Sequence, residues 1–230
     1  MLSKTGESQY QSPTAAVEVT APGILFVVSS PSGGGKGTLV QRVLKTVENL
    51  SYSVSYTTRT PRNGEVNGRE YFFVTAEVFQ QMIAANEFLE WAPVHGKLYG
   101  TGRSQVTREI SAGRDIILEV DVQGAASVRN LIPDSISIFI LPPSFEVLRQ
   151  RLVARGTDSA EELELRLRNA PQELKYYAAF DYVIINDDAE CAAAKLGSII
   201  YAERAQLSRQ KPYVKRLVEA FVLEEKGTGN

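Results

Sequence analysis

The chain has 230 residues, 43% hydrophobic and 23% charged, and its net charge of −2 argues against bulk binding to nucleic acid or to an anionic membrane. The single cysteine, Cys191, excludes an internal disulfide, and with one histidine, His95, in the chain a Cys/His zinc site is not expected. No run of residues has the length and apolar character of a membrane span or a signal-peptide core, so we expect a cytoplasmic location.

The first predicted elements follow a polar leader at residues 1–20, which we expect to be disordered. The run GILFVVSS at 23–30 predicts a buried strand. The run GTLVQRVLKTV at 37–47 has its apolar residues at helical spacing and predicts a helix. A glycine-rich loop therefore lies between a strand and a helix.

The loop SSPSGGGKGT at 29–38 approaches the phosphate-binding pattern G-x-x-x-x-G-K-[S/T]. Ser30 replaces the first glycine, and Gly37 replaces the residue whose hydroxyl usually binds Mg²⁺. Thr38, one residue on, offers a hydroxyl of its own. Glycines let backbone N–H groups surround a phosphate, and Lys36 can reach the terminal phosphates of a triphosphate. The alternative is an accidental Gly/Ser turn with one lysine.

A segment rich in Tyr, Thr, Gly and Arg follows at 51–102. Arg59 and Arg62 lie three residues apart, with Tyr71 and Tyr99 further along. Arginine pairs bind phosphate and tyrosine hydroxyls add donors, although each residue singly is more often a surface charge or a core tyrosine. Together they predict a second phosphate pocket in an inserted subdomain.

The rest of the chain alternates strands with helices. Strands are predicted at 114–121, 135–141 and 181–186, and helices at 104–112, 124–131, 144–154 and 189–209. Continuous apolar strands separated by helices predict a parallel sheet covered on both faces, hence an α/β fold.

Two carboxylates, Glu119 and Asp121, end one of these strands. Ligands of open α/β sheets bind at the carboxyl ends of strands, and residues two apart on a strand share a face. One carboxylate could hold Mg²⁺ or its waters. The alternative for Asp121 is an N-cap for the following helix.

A charged helical stretch at 149–178 contains five arginines. Arg151 and Arg155 lie four residues apart, on one helical face. Such spacing usually marks a solvated face, so this pattern alone does not favour a function.

Several motifs occur in the order found in guanylate kinases, which the chain resembles from about residue 22 to 209. They are TTRTPRNGEVNGREYFF, EFLEW with YGT, DVQG, FILPPS, RLVARGTDSAEELELRLRNA and NDD. The resemblance implies Mg²⁺-dependent phosphoryl transfer from ATP to GMP, and to dGMP. The chemistry needs no nucleophilic side chain, because positioning and electrostatic stabilisation carry phosphoryl transfer.

The resemblance also implies a P-loop NTPase-like parallel sheet core flanked by helices, with an inserted GMP-binding subdomain and a helical lid. We expect the core at 21–52, 106–143 and 181–210, the subdomain at 53–105, the lid at 144–180, and a C-terminal helix and tail at 211–230. Neither a nucleic-acid nor a membrane partner is expected, and the chain is expected to be a monomer or a homodimer.

Site residues carried over from the resemblance fall into four groups. Expected at the ATP site are Ser32, Gly33, Gly34, Gly35, Lys36, Gly37, Thr38 and Asn186. Expected at the GMP site are Ser55, Arg59, Arg62, Tyr71, Glu90, Tyr99, Gly100, Thr101 and Glu119. The catalytic group is Lys36 with the lid arginines Arg151, Arg155 and Arg166. Mg²⁺ is assigned to Asp121, with Thr38 as a second candidate.

Two other interpretations remain open at this point. A guanylate-kinase-like module that binds proteins would typically lack the loop lysine and several phosphate arginines, whereas Lys36, Arg59 and Arg62 are present here. A kinase of another nucleoside monophosphate is compatible with the loop ending GKGT. Glu90 favours guanine instead, because one carboxylate can accept from both N–H donors of the guanine edge, and adenine lacks these donors.

Overall fold

The structure, a computed structural model, describes residues 21–94, 96–156 and 159–227. The expectations for the leader at 1–20, for His95 and for residues 228–230 lie outside these ranges. The side chain of Arg155 lies outside the description as well.

A five-stranded parallel sheet forms the core, in the order β2-β7-β1-β8-β9. Its strands are β1 (Leu25–Ser29), β2 (Leu50–Tyr52), β7 (Asp115–Glu119), β8 (Ile136–Leu141) and β9 (Tyr182–Ile185). The helices flanking it are α1 (Lys36–Thr46), α3 (Arg103–Ser111), α4 (Val122–Leu131) and α7 (Ala189–Arg204). This arrangement confirms the predicted α/β class.

Both faces of the sheet are buried, which explains the unbroken apolar strands. Every residue of β1 is buried, and alternate residues belong to two different apolar clusters. Phe26 and Val28 pack with α1 and α7 on one face, while Leu25 and Val27 pack with α3 and α4 on the other. Burying apolar surface on both faces stabilises the sheet by about 25 cal/mol per Å².

A second sheet lies within the predicted insertion. Its order is β4-β3-β6-β5, formed by β3 (Tyr56–Thr57), β4 (Phe72–Phe73), β5 (Phe88–Val94) and β6 (Lys97–Gly102), with α2 (Ala76–Ala84) beside it. In the antiparallel pair of β5 and β6, Glu90 lies opposite Thr101. The sequence predicted an inserted subdomain here, but not a four-stranded sheet.

Two helices and a 3₁₀ turn connect β8 to β9. They are α5 (Phe145–Arg155), α6 (Ala160–Leu174) and the turn Lys175–Ala179. Ser159 and Glu162 form a capping box that starts α6. Leu148 and Leu152 of α5 pack against Ala170 of α6 in a small apolar cluster.

The predicted helix at 189–209 is two helices. α7 ends at Arg204, and α8 (Leu207–Gly227) begins three residues later. Arg204, the last residue of α7, donates to the Asp115 carboxylate and to the Glu48 carbonyl. These contacts hold the end of α7 against the core, and the chain changes direction there. Within the described ranges, no helix is long and apolar enough to cross a membrane.

Candidate active site

The glycine-rich loop lies between β1 and α1, as the sequence predicts. Gly33 and Gly35 have φ of 84° and 90°, the left-handed region that glycine adopts without strain. Gly35 is the N-cap of α1, and no side chain of the described residues caps that helix. The N–H groups of its first turn and the positive end of its dipole therefore suit an anion.

Asn186, which follows β9, lies against this loop. It is 2% exposed, and its Nδ2 donates to the Gly34 carbonyl at 3.0 Å. A Cβ on Gly35 would lie 2.4 Å from the same Nδ2, so the contact requires glycine. Arg151 of α5 donates to the Asn186 carbonyl at 2.9 Å. Asn186 thus joins the loop to the α5 arginine.

Helix α6 contacts the loop at Ser32. Arg166 Nη1 donates to Ser32 Oγ at 3.2 Å, and Ser32 N–H donates to Glu173 Oε2 at 3.0 Å. The two α6 residues are seven apart, which places them on one face of the helix. Glu173 was not predicted, because an acidic residue on a charged helix has no distinctive pattern.

The carboxylate of Glu119, at the end of β7, lies beside Gly37. A Cβ at position 37 would be 3.4 Å from Glu119 Oε2. Burial raises the pKa of Tyr52 above its usual value, and the Glu119 charge raises it further. Burial also raises the pKa of Tyr71, and the charges of Tyr99 and Glu119 raise it further. Glu119 therefore faces the loop, Tyr52 of β2 and Tyr71 of the inserted segment.

Asp121 has different neighbours. Its Oδ1 accepts from Gly124 N–H at 2.8 Å and caps α4, as the alternative interpretation anticipated. A Cβ on Gly124 would lie 2.9 Å from Glu90 Oε2 and 3.3 Å from Asp121 Oδ1. The sequence grouped Asp121 with the loop and Glu119 with GMP, whereas here Asp121 lies near Glu90 and Glu119 near the loop. The reason is that β7 ends at Glu119, so the shared-face rule for strands does not reach Asp121.

Glu90 is a buried carboxylate with one hydroxyl partner. It is 8% exposed, and Thr101 Oγ1 donates to its Oε1 at 2.6 Å. Burial raises the pKa of Glu90 to about 7; the Thr101 hydrogen bond opposes this shift, and the charge of Asp121 adds to it. Such a group is poised to accept hydrogen bonds from a ligand that presents N–H donors.

Arg59, Tyr71 and Tyr99 form a cluster at the edge of the second sheet. The Arg59 guanidinium lies 5.4 Å from the centre of the Tyr71 ring, and the centres of the two tyrosine rings are 5.8 Å apart. Glu65, which was not predicted, accepts from both Arg59 Nη atoms at 2.9 Å and from Arg62 N–H at 2.7 Å. This carboxylate therefore holds the Arg59 guanidinium in one orientation through a bidentate pair of hydrogen bonds.

The other predicted residues lie in the same region, with fewer contacts. Thr38 is exposed in the first turn of α1, Ser55 is half-buried just before β3, and Gly100 is buried next to Thr101. A Cβ on Gly100 would lie 2.8 Å from the Phe88 ring, which explains the glycine. Of the metal-binding residue types within the described ranges, no three or more are grouped to hold an ion.

Comparison with known proteins gives a consistent result. A family model described as guanylate kinase matches residues 23–203. The chain is 48% identical over 200 residues to a guanylate kinase of Dechloromonas aromatica, covering 87% of this chain and 99% of that protein. It is 49% identical over 197 residues to one of Neisseria gonorrhoeae, covering 86% and 96%. A crystal structure of guanylate kinase from Anaplasma phagocytophilum matches with a TM-score of 0.70 at 35% identity, covering 82% and 90%.

Proposed function

The chain belongs to the guanylate kinase family, and from that premise we propose how its residues divide the phosphorylation of GMP by ATP. The observation that carries the proposal is the position of Glu119. Its carboxylate lies beside Gly37 of the phosphate loop and also acts on Tyr71 of the Arg59 cluster. The phosphates of ATP would then bind on one side of Glu119, and the phosphate of GMP would bind on the other side.

The ATP phosphates bind to the loop. The N–H groups of the first turn of α1 and the Lys36 ammonium surround them, and Arg151 and Arg166 approach from α5 and α6. Both arginines already contact the loop or the residue behind it, at 2.9 and 3.2 Å. Arginines in such positions neutralise charge that spreads over the transferring phosphoryl group and can contribute about 10³–10⁵ in rate. Arg155 is assigned to the same group on the family motif alone.

GMP binds to the second sheet. Arg59, Tyr71 and Tyr99 take its phosphate, with Arg62 nearby, and the Glu65 carboxylate holds the Arg59 guanidinium in the orientation that phosphate requires. Since Arg59 already pairs in bidentate geometry, little rotamer freedom is lost when GMP binds.

The ionised carboxylate of Glu90 recognises the guanine base. It accepts from the N1–H and N2–H donors of the base, with Thr101 orienting the carboxylate and Asp121 at hand as a second acceptor. Ser55 is assigned to the guanine O6. Adenine has no donor at N1 and no 2-amino group, so it would leave a buried carboxylate unpaired, at a cost of about 1–3 kcal/mol or more. The same contacts accept dGMP, because none of them involves the ribose.

Mg²⁺ fits this site if the phosphates supply most of its ligands. Magnesium in kinases is held by one or two carboxylates together with waters and substrate phosphates, so the absence of a larger carboxylate group among the described residues is no obstacle. Glu119 is the carboxylate next to the loop, and we assign it the role that the sequence gave to Asp121. When bound, the ion offsets negative charge on the phosphates.

The alternative of a protein-binding module is disfavoured by the retained Lys36 and Arg59 and by the guanine-type acceptor Glu90. A cytoplasmic location and nucleotides as the partners complete the proposal; the net charge of −2 and the single cysteine support them.

A coupled assay of ADP formation tests the proposal, with ATP and Mg²⁺ and with GMP, dGMP, AMP or UMP offered separately. We expect turnover with GMP and dGMP and very little with AMP or UMP. Lys36→Met is expected to abolish turnover while leaving the thermal unfolding midpoint nearly unchanged. Equal turnover of AMP and GMP would contradict the role of Glu90, and absence of turnover with GMP would contradict the proposal as a whole.

A further inference from the structure

Tyr52 lies near the phosphate loop but has no part in the functions assigned above. It is the last residue of β2, the strand at one edge of the core sheet. Its side chain is half-buried and packs against the apolar cluster that includes Leu39 and Val40 of α1. The Tyr52 ring therefore lies on the face of the core sheet that α1 covers, and α1 is the helix that the phosphate loop enters.

The pairing of β2 with β7 brings Tyr52 to Glu119. Tyr52 lies opposite Ile117 in the parallel register, and Ile117 belongs to the same apolar cluster. Side chains two residues apart on a strand share a face, so Glu119 follows Ile117 on the face where the Tyr52 ring lies. The Tyr52 hydroxyl donates a hydrogen bond to the Glu119 carboxylate.

The same carboxylate reaches the phosphate loop. Glu119 Oε2 and Oε1 lie 3.4 and 3.8 Å from the position that a Cβ on Gly37 would take. An ionised carboxylate accepts at about four lone-pair positions, so the bond from Tyr52 leaves the others for groups at the loop. Because Gly37 has no hydroxyl to offer a metal ion, the orientation of the Glu119 carboxylate matters more here.

The Tyr52 hydroxyl is a fixed donor. Burial raises its pKa above the usual value and the charge of Glu119 raises it further, so the hydroxyl keeps its proton near neutral pH. The backbone that carries it is held as well. Gln105 Nε2 of α3 donates to the Tyr52 carbonyl at 3.0 Å, and the Ser53 N–H donates to the Ile117 carbonyl at 3.0 Å.

We propose that Tyr52 is a positioning residue for Mg²⁺, whose hydroxyl holds the Glu119 carboxylate in the orientation that binds the ion or its waters beside the phosphate loop. The inference rests on the proposed function, since it takes Glu119 as the carboxylate that holds Mg²⁺. A group that orients a ligating carboxylate typically contributes about 10–100-fold in metal affinity. Without this hydrogen bond, the Glu119 side chain has more rotamer freedom to lose when the ion binds.

Metal binding without turnover tests the proposal. Tyr52→Phe keeps the ring and removes the hydroxyl. We expect it to weaken the binding of Mn²⁺ to the full chain with ADP by about tenfold, measured from the EPR signal of the free ion. Calorimetry with ADP in the absence of metal should give the wild-type affinity. Tyr56→Phe is the matched control, because it removes a hydroxyl from β3 and keeps the ring that stacks on Phe72, and it should change neither value.

Glu119→Gln tests whether Tyr52 acts through Glu119. This variant should weaken Mn²⁺ binding at least as much, and adding Tyr52→Phe to it should cost less than about twofold more, because coupled residues are not additive. In steady-state kinetics, Tyr52→Phe should raise the Mg²⁺ concentration for half-maximal turnover about tenfold and leave the KM for GMP unchanged. A general disturbance of β2 would change the KM for GMP as well.

Different results would overturn different parts of the account. Wild-type Mn²⁺ affinity in Tyr52→Phe, with a loss in Glu119→Gln, would overturn the role of Tyr52 and leave the proposed function standing. Wild-type Mn²⁺ affinity in Glu119→Gln would overturn both the assignment of Mg²⁺ to Glu119 and the positioning role. Additive losses in the double variant, or weaker binding of metal-free ADP to Tyr52→Phe, would also contradict the proposal, because the hydroxyl would then act other than through the carboxylate.

Discussion

At the scale of single residues, the distinctive features of this site are Gly37 and a buried Glu90 whose pKa is raised. The phosphate loop lacks the hydroxyl that usually follows its lysine, and Glu119 Oε2 lies 3.4 Å from the position that a Cβ on residue 37 would take. Burial is the largest of the effects that raise the pKa of this guanine acceptor to about 7.

Glu90 predicts a pH dependence of GMP binding. Because the ionised form accepts from guanine and its pKa is about 7, the KM for GMP should rise as pH falls from 8 to 6. Glu90→Gln should remove this dependence and raise the KM for GMP at pH 8 by about tenfold or more, which corresponds to about 1.4 kcal/mol. Steady-state kinetics from pH 6 to 8 measures both, with the KM for ATP as an internal control. A KM for GMP that stays constant in wild type would contradict the assignment.

The same shift has a consequence for stability. A carboxyl whose folded pKa is raised from 4.5 to about 7 binds a proton more tightly in the folded chain, so its contribution to stability is lost as pH rises through that window. Glu90→Gln has no charge to bury and should therefore unfold at a higher temperature than wild type at pH 8, with the difference vanishing near pH 4. Thermal unfolding followed by circular dichroism measures this, and a lower midpoint for the variant at pH 8 would count against the burial argument.

Gly37→Ser tests how magnesium is held. A Cβ at position 37 would be 3.4 Å from Glu119 Oε2, an ordinary contact, so serine fits and can donate to that carboxylate. If Glu119 and the phosphates suffice for Mg²⁺, the Mg²⁺ concentration for half-maximal turnover should change less than about threefold, which is under 1 kcal/mol. Thr38→Ala is the matched control and should also have little effect. A gain of tenfold or more in Mg²⁺ affinity with serine would show that the missing hydroxyl matters.

Glu65→Gln tests whether Arg59 is held ready for phosphate. The pair is mostly buried, at 13% and 17% exposed, so losing a charged hydrogen bond should raise the KM for GMP by about tenfold with a smaller change in kcat. Glu70→Gln is the control, because Glu70 pairs with the exposed Arg69 on the same loop. If Glu65→Gln instead tightens GMP binding, the carboxylate competes with phosphate rather than orienting the arginine.

At the scale of elements, the sequence was most informative where the signal is local. The strand, loop and helix at 23–47 follow from apolar periodicity and from three consecutive glycines, and they were predicted with nearly correct ends. The contact of Glu173 with Ser32 was not predictable, since 141 residues separate them and an acidic residue on a charged helix has no distinctive pattern. We propose Glu119 rather than Asp121 for Mg²⁺ because strand periodicity does not extend the two residues beyond the end of β7 to Asp121, which caps α4.

The contact between Glu173 of α6 and Ser32 of the phosphate loop predicts a change in the KM for ATP alone. Glu173→Ala removes the acceptor for Ser32 N–H and should raise the KM for ATP several-fold, by loss of about 1 kcal/mol, without changing the KM for GMP. Glu173→Gln keeps an acceptor oxygen and should largely restore the wild-type value. Glu164→Ala, which removes an exposed ion pair with Arg168 on the same helix, should have no effect on either KM. Equal losses for ATP and GMP would indicate a general disturbance of the fold.

At the scale of the whole molecule, the proposed site spans two sheets. The core sheet carries the phosphate loop and Glu119, and the second sheet carries Arg59 and Glu90. Phosphoryl transfer between nucleotides needs both substrates together with water excluded, so the second sheet and the helices α5 and α6 are expected to close over them.

A bisubstrate analogue tests the joined site most directly. Adenosine and guanosine linked through five phosphates should occupy both halves at once, and calorimetry should find it bound at least about 10²-fold more tightly than ATP or GMP alone. Lys36→Met and Arg59→Met should each weaken it, one through each half. Binding no tighter than that of a single nucleotide, or binding sensitive to one of the two variants alone, would contradict the claim that the loop and the Arg59 cluster face each other across Glu119.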